Sequence, residues 1–230
     1  TEAALVFSSG YLANIGTIPA LVDEGDLILS DERNHISLIE GCRLSKATRQ
    51  IYRHCDSEHL RELLSQSSKF RRRLIVTDGV FSMDGDIPPL TEICDIAAAY
   101  GAIVMVDDVH GFGVLGKSGG GVVDYFGLGD RGIIQVGALS KAVGGVGAFV
   151  AGSRSLIDFL INRARGFIFT TGLPPGTLAA ASAAINLIRS APELRHSLLA
   201  NVRWLKTALS EVGFQLLPSD TQILPLILGE

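Results

Sequence analysis

Lys141 is the only charged side chain between Arg131 and Arg154. Small and apolar residues flank it in the run Gly137-Ala138-Leu139-Ser140-Lys141-Ala142-Val143-Gly144-Gly145. Such a lysine either reaches water from a loop or is partly desolvated. Desolvation disfavours the ammonium form, and a neutral amine is what Schiff-base chemistry with an aldehyde requires. Asp107 and His110 stand in the run Val106-Asp107-Asp108-Val109-His110-Gly111, directly after an apolar segment. A carboxylate there would face a cleft at a sheet edge, where it can pair with a protonated ring nitrogen, and His110 could reach a ring hydroxyl. Two acids and a histidine can equally be plain turn residues. A metal site is a lesser alternative, because no second His/Asp cluster at ligand spacing accompanies the first.

Three weaker signals lie upstream. Ser8-Ser9-Gly10-Tyr11 joins a strand-like to a helix-like segment. Free amides at a helix N-terminus bind anions, and glycine lets the backbone approach a phosphate closely. An ordinary serine cap reads the same way. Ser82, in Phe81-Ser82-Met83-Asp84-Gly85-Asp86, follows a strand and Asp78. Its hydroxyl could hydrogen-bond a cofactor oxygen, and an Asp/Gly-rich turn is the plain alternative. His35 lies at a helix start near the same edge, where a lone histidine is more often a cap or surface residue.

These residues need elements to position them. Strand-like segments are expected at Ala3–Phe7, Asp26–Leu29, Thr48–Arg53, Leu74–Thr77, Ile103–Val106, Ile133–Val136 and Ala148–Ala151, with two late ones at Phe214–Leu217 and Leu224–Leu228. Helices are expected at Tyr11–Leu21, His35–Leu44, Ser57–Leu64, Leu90–Tyr100, Ser153–Arg163, Gly176–Ile188 and Glu193–Glu211. The glycine-rich stretch Gly111–Gly132 reads as an irregular surface loop. Ile103–Val106 is apolar on both faces, as in parallel sheets covered on both sides. The alternation predicts an α/β fold, a three-layer αβα arrangement around a mainly parallel sheet. Ligands in such folds bind beyond the carboxyl ends of the strands. Residues 1–190 are expected to form a large domain. Residues 191–230 read as the beginning of a small C-terminal α+β domain that the chain leaves incomplete, and both ends look cut.

Bulk properties exclude several classes. With 47% hydrophobic and 19% charged residues the chain can bury a core,. The net charge of −4 gives no general grip on nucleic acid or an acidic membrane,. The basic run Arg71-Arg72-Arg73 reads as a solvated start to a strand. Cys42, Cys55 and Cys94, an odd number without CxxC spacing, fit a reducing cytoplasm and no metal site,. Gly132–Gly152 is apolar but carries Gln135, Lys141 and six glycines, which fits a buried sheet region better than a membrane helix,.

The order and spacing of Ser-Gly-Tyr, Asn-His, Phe-Ser-Met-Asp-Gly-Asp, Val-Asp-Asp-x-His-Gly and Leu-Ser-Lys-Ala carry more than any one of them. Together they resemble the α-oxoamine synthases among fold-type I enzymes of pyridoxal 5'-phosphate (PLP), along nearly the whole chain. The resemblance implies PLP as cofactor, bound to Lys141 as a Schiff base. It implies Asp107 at the pyridine nitrogen, His110 and Ser82 at the ring hydroxyl, and His35 stacked on the ring. Backbone amides of Gly10 and Tyr11 would hold the phosphate. Family sites form in homodimers, and Thr170 and Thr171 match residues that reach the neighbouring subunit's phosphate. The implied reaction is an acyl transfer, condensing an amino acid with an acyl-CoA or acyl-carrier-protein thioester with loss of carbon dioxide. Lys141, His35, Asp107 and His110 are the catalytic set. No nucleic acid, membrane or metal is implied, and the expected location is cytoplasmic. Two positions depart from the pattern. Ala138 stands where the family commonly has a phosphate-binding threonine, and Gly172 where serine is frequent. A catalytically silent fragment or partner subunit is the alternative of another class.

Overall fold

The computed structural model describes residues 1–227 and residue 229. Seven strands form one sheet: β1 (Ala3–Phe7), β2 (Leu27–Asp31), β3 (Thr48–Tyr52), β4 (Arg73–Asp78), β5 (Ile103–Asp107), β6 (Ile134–Ala138) and β7 (Ala148–Gly152). Their order is β1-β7-β6-β5-β4-β2-β3. The pairs β3–β2, β2–β4, β4–β5 and β5–β6 are parallel, and β7 alone runs against its neighbours β6 and β1. The expected mainly parallel, three-layer α/β architecture is what the chain adopts.

Alternation along the central strands explains why their sequences look uniformly apolar. Ile28, Leu74, Val76 and Met105 enter one core, with Ala13, Ile18, Leu38 and Leu160. Leu27, Leu29, Ile75, Val104 and Val106 enter the other, with Leu60, Leu64, Ile93 and Ile96. Successive side chains point to opposite faces, and helices cover both. The first core is capped by α1 (Gly10–Leu21), α2 (Ile36–Leu44) and α6 (Arg154–Arg163); the second by α3 (Ser57–Ser65) and α4 (Leu90–Tyr100). Side-chain caps start four of these helices: Ser9 accepts from the Leu12 amide, His35 from Ser37, Asp56 from His59 and Ser153 from Leu156,. Gly101, at φ 61°, ends α4 in the left-handed region,.

Several expectations need correction. The glycine-rich stretch holds a short helix, α5 (Val122–Tyr125), and α7 (Arg165–Ile168) follows α6. The helices α8 (Pro175–Ser190) and α9 (Pro192–Glu211) occur as expected, with Pro192 starting the second. Among the described residues the late strands do not form. Phe214–Leu217 and the following segment meet in one isolated bridge, Leu216 to Leu226, and Leu228 lies outside the described residues. Nor is Arg71-Arg72-Arg73 merely solvated. Arg71 makes two 2.9 Å bonds to the buried Asp26 carboxylate, Arg72 binds the Leu21 carbonyl, and Arg73 binds Ser67. Three guanidinium forks thus tie β4 to the loops at the foot of the sheet.

At the opposite, carboxyl edge, His54 pins the loop after β4. Its ring bonds Asp31 Oδ1 at 2.9 Å and Asp86 Oδ2 at 2.7 Å, and its side chain is only 12% exposed. Phe81 packs edge-on against the ring, Cys55 lies beside it, and Arg33 pairs with Asp84 on the same loop. Burial works against a charged imidazole, but hydrogen bonding to Asp31 and Asp86 outweighs it, so the pKa is raised,. A histidine raised on folding adds stability that is full below its unfolded value and lost as pH rises through the folded one. His54→Gln is therefore expected to cost roughly 1.5 kcal/mol or more at pH 6, the scale of a hydrogen bond to a charged group. The deficit should narrow at pH 9 in urea unfolding. A deficit that is the same at both pH values would show that His54 is neutral here.

Candidate active site

The carboxyl ends of β4, β5 and β6 and the start of α1 enclose a cavity of about 180 Å³. Its lining brings together Gly10, Tyr11, His35, Ser82, Asp107, His110 and Lys141, seven of the nine residues singled out from the sequence. Thr170 and Thr171 lie elsewhere. Both are exposed, and Thr170 lines a separate groove between α1 and α7.

Each element delivers its residue for a local reason. The Ser9 cap turns the chain so that α1 begins at the cavity wall, and the Gly10 and Tyr11 amides meet no acceptor among the described residues. His35 is the N-cap of α2, and its backbone amide donates to Asp78 Oδ2 at 2.6 Å. β5 ends on Asp107, which is buried. Its Oδ2 accepts from Asn14 Nδ2 at 2.5 Å and its Oδ1 from the Val109 amide at 3.3 Å. Lys141 follows β6 in a turn closed by the Gly144 amide on its carbonyl. Its side chain is exposed in the single chain, so of the two sequence readings the lysine that reaches water holds, at the mouth of the cavity. Ala138 also lines the wall and offers only a methyl group there.

The electrostatics centre on two acids side by side. Asp78 and Asp107 end adjacent parallel strands in direct register. Burial first, then the Asp107 charge, push the Asp78 carboxyl well above the usual range. Burial also raises Asp107, opposed by the Asn14 and Val109 N–H donors. Two carboxylates this close do not both ionise readily, and Asp107, with N–H donors on both its oxygens, is the one to carry the charge,. His110 is lowered, by burial first and then by the positive charge of Lys141, and so stays neutral near pH 7,.

The second acid of the pair at the end of β5 has a different task. Asp108 is fully buried, and its Oδ2 accepts from the Val122 amide and Gln135 Nε2, each at 2.8 Å. A Cβ on Gly111 or on Gly121 (φ 87°) would collide with this carboxylate, so the glycines leave it room. The same stretch, Gly111-Phe112-Gly113-Val114-Leu115-Gly116-Lys117-Ser118, spells GxxxxGK[ST], as phosphate loops do,. Here the spelling has no such meaning. The Gly113, Val114, Leu115 and Gly119 amides bond to carbonyls within the loop, and the Asp124 carboxylate takes the Ser118 and Gly120 amides. A loop with most of its amides already committed, and a carboxylate in its mouth, offers no cradle,.

Sequence reading missed Asn14, Ser37 and Asp78. Asp78 was findable by inspecting the residue at the end of each strand. Asn14 stands one turn after Gly10 in an otherwise apolar helix, on the same side. The segment after α9 also leans on the site: Ser219 and Thr221 bond the Gly85 carbonyl at 2.8 and 2.9 Å, and Gln222 the His110 carbonyl at 2.6 Å.

A carboxylate on β5, a lysine after β6 and open amides at the start of α1, around one cavity on this sheet, define the large domain of fold-type I PLP transferases. The chain belongs to the aminotransferase class I and II family, which it matches over residues 1–230. Within that family its likeness is to α-oxoamine synthases. It is 50% identical to the 8-amino-7-oxononanoate synthase of Symbiobacterium thermophilum, over 100% of this chain and 59% of that protein. It is likewise 50% identical to 8-amino-7-oxononanoate synthase 2 of Bacillus subtilis, with the same coverage. A serine palmitoyltransferase from S. paucimobilis, solved with PLP bound as a myriocin adduct, superposes with a TM-score of 0.96 at 35% identity, covering 100% of this chain and 60% of that one. The 8-amino-7-oxononanoate synthase of Francisella tularensis superposes at 0.83 with 31% identity, covering 99% and 66%. The chain thus spans about three-fifths of the length of the curated relatives it matches.

Proposed function

We propose that this chain carries the cofactor site of a PLP-dependent acyltransferase that condenses an amino acid with an acyl thioester and releases carbon dioxide. The reading is specifically that of an 8-amino-7-oxononanoate synthase, joining L-alanine to pimeloyl-CoA or a pimeloyl-carrier protein in biotin biosynthesis. The observation that carries it is the shared cavity of Lys141 and Asp107. The donor set fits PLP: an amine for its aldehyde, a buried carboxylate for its ring nitrogen, and uncommitted helix N-terminal amides for its phosphate,. The match of about 50% identity to synthases of this name supports the finer assignment.

When bound, PLP supplies the electron sink that makes an α-proton removable. The chain's own residues do the rest. Lys141 would hold PLP through its Nζ, and the same Nζ is the base placed to take the α-proton of the amino acid. Asp107 would hold the ring nitrogen protonated, His110 and Ser82 would bond the ring hydroxyl, and His35 would cover a ring face. Gly10 and Tyr11 donate backbone N–H groups to the phosphate. Thr170 and Thr171 are assigned to the phosphate of a second copy in a homodimer, which accounts for their exposure outside the cavity of their own chain. Residues 1–190 are assigned to the cofactor domain and 191–230 to the start of a smaller one. Among the described residues no helix is long and apolar enough to cross a membrane, and we assign the protein to the cytoplasm.

The deciding experiment is a substrate panel. Turnover with L-alanine and a long acyl thioester, but not with glycine and acetyl-CoA, is the expected result. The reverse preference would move the assignment to a 2-amino-3-ketobutyrate CoA ligase within the same reaction class. No turnover with any pair, in protein that also stays colourless with added PLP, would favour the silent partner reading.

A further inference from the structure

Asn14 is fully buried on α1, and one amide nitrogen serves two arms of the site. Its Nδ2 donates to Asp107 Oδ2 at 2.5 Å and to Ser37 Oγ at 2.8 Å. Both of its hydrogens are then committed, and Ser37 Oγ, which accepts one of them, lies 2.7 Å from His35 Nδ1. The Ser37 backbone N–H points at the same Nδ1, at 3.3 Å. Nδ1 is therefore an acceptor, and the ring carries its proton on Nε2. Turning the Asn14 amide over would set its oxygen against the Asp107 carboxylate, acceptor against acceptor. Asn14 Oδ1 has no partner among the described residues. An unsatisfied buried polar atom calls for a reason beyond packing.

We propose that Asn14 is a positioning residue, which holds Asp107 ionised toward the cavity and, through Ser37, orients the His35 ring with Nδ1 as acceptor and its N–H at Nε2. One amide thereby reaches both the carboxylate assigned to the cofactor's ring nitrogen and the histidine assigned to its ring face. The electrostatics agree: after burial, the Asn14 donor is the largest influence on Asp107 and favours its charged form. The inference rests on the PLP reading above for its catalytic meaning, but not for its geometry.

Asn14→Leu keeps the γ-branched shape and removes both donors. In the apoprotein, ¹⁵N shifts of the His35 ring should show a single Nε2–H tautomer in the parent and a mixture in the variant. With PLP, the dissociation constant should rise about tenfold or more, the loss of one hydrogen bond to a charged group. The acid limb of the pH profile of kcat/KM should move up by about one unit or more. Ser37→Ala cuts only the His35 arm. It should disturb the tautomer while leaving the acid limb in place. Unchanged tautomer, affinity and pH profile in Asn14→Leu would overturn the proposal. Should that variant fail to fold, an unchanged His35 tautomer in Ser37→Ala would overturn it instead. The two readings fail separately. A parent protein that binds no PLP refutes the function and leaves the apoprotein tautomer standing. Normal PLP binding with an indifferent Asn14→Leu refutes only the present inference.

Discussion

Lys141→Ala is expected to abolish turnover, with kcat falling at least about 10³-fold. Lys141 has two tasks in the proposed chemistry, holding the aldehyde and moving the α-proton, and no other amine lines the cavity. Stability should hardly change. The side chain is exposed and makes no hydrogen bond or ion pair among the described residues, and substitutions at such surface positions usually stay within about 0.5 kcal/mol. Loss of activity without loss of stability thus separates chemistry from damage. Borohydride reduction with added PLP gives an independent readout: the parent should be labelled at Lys141, with visible absorbance, and the variant should be neither coloured nor labelled. Full activity in Lys141→Ala would end the mechanism. A metal-dependent hydrolase built on Asp107 and His110 would instead ignore Lys141→Ala and lose its activity to chelators.

Asp107→Asn should lower kcat/KM on the order of 10²–10³-fold, the scale of removing one preorganised electrostatic partner. An amide cannot stabilise a protonated ring nitrogen as a carboxylate does. The same variant should be more stable than the parent near pH 7. Asp107 is an acid whose folded pKa is raised, and so is its neighbour Asp78. A raised acid costs stability at pH values above its unfolded value, and the neutral amide of the variant removes one charge from a crowded pair. A Tm gain of about 2–4 °C per kcal/mol relieved is the expected size for a chain of this length. Thermal unfolding at pH 7 and at pH 4 checks the sign: the gain should shrink at the lower pH, where the parent's carboxyls are protonated. A variant that is both inactive and less stable would indicate that Asp107 is structural.

The sequence alone settled the layered α/β architecture, because apolar runs with helical segments between them have few other ways to bury themselves. The order and spacing of its motifs, through their family resemblance, also marked Lys141, Asp107 and His110, which share the cavity. Element ends came out within a residue or two, as at β5, where the strand runs on to include Asp107. Late strands were misread because alternation at Phe214–Leu217 is a local signal, whereas pairing needs a neighbouring strand that the segment does not find,.

Tertiary structure decided what local pattern cannot encode. Asp107 and Asp108 are adjacent and chemically identical, yet strand alternation sends one to the cavity and the other into a nest of glycines. A letter-perfect phosphate-loop spelling loses that meaning because most of its amides already have partners. Asn14 and Asp107 lie far apart in sequence and meet at 2.5 Å only because α1 packs across the edge of the sheet. Which residue types are present is written in one dimension. Which of them share a proton depends on distances of a few ångströms, and only the packed chain sets those.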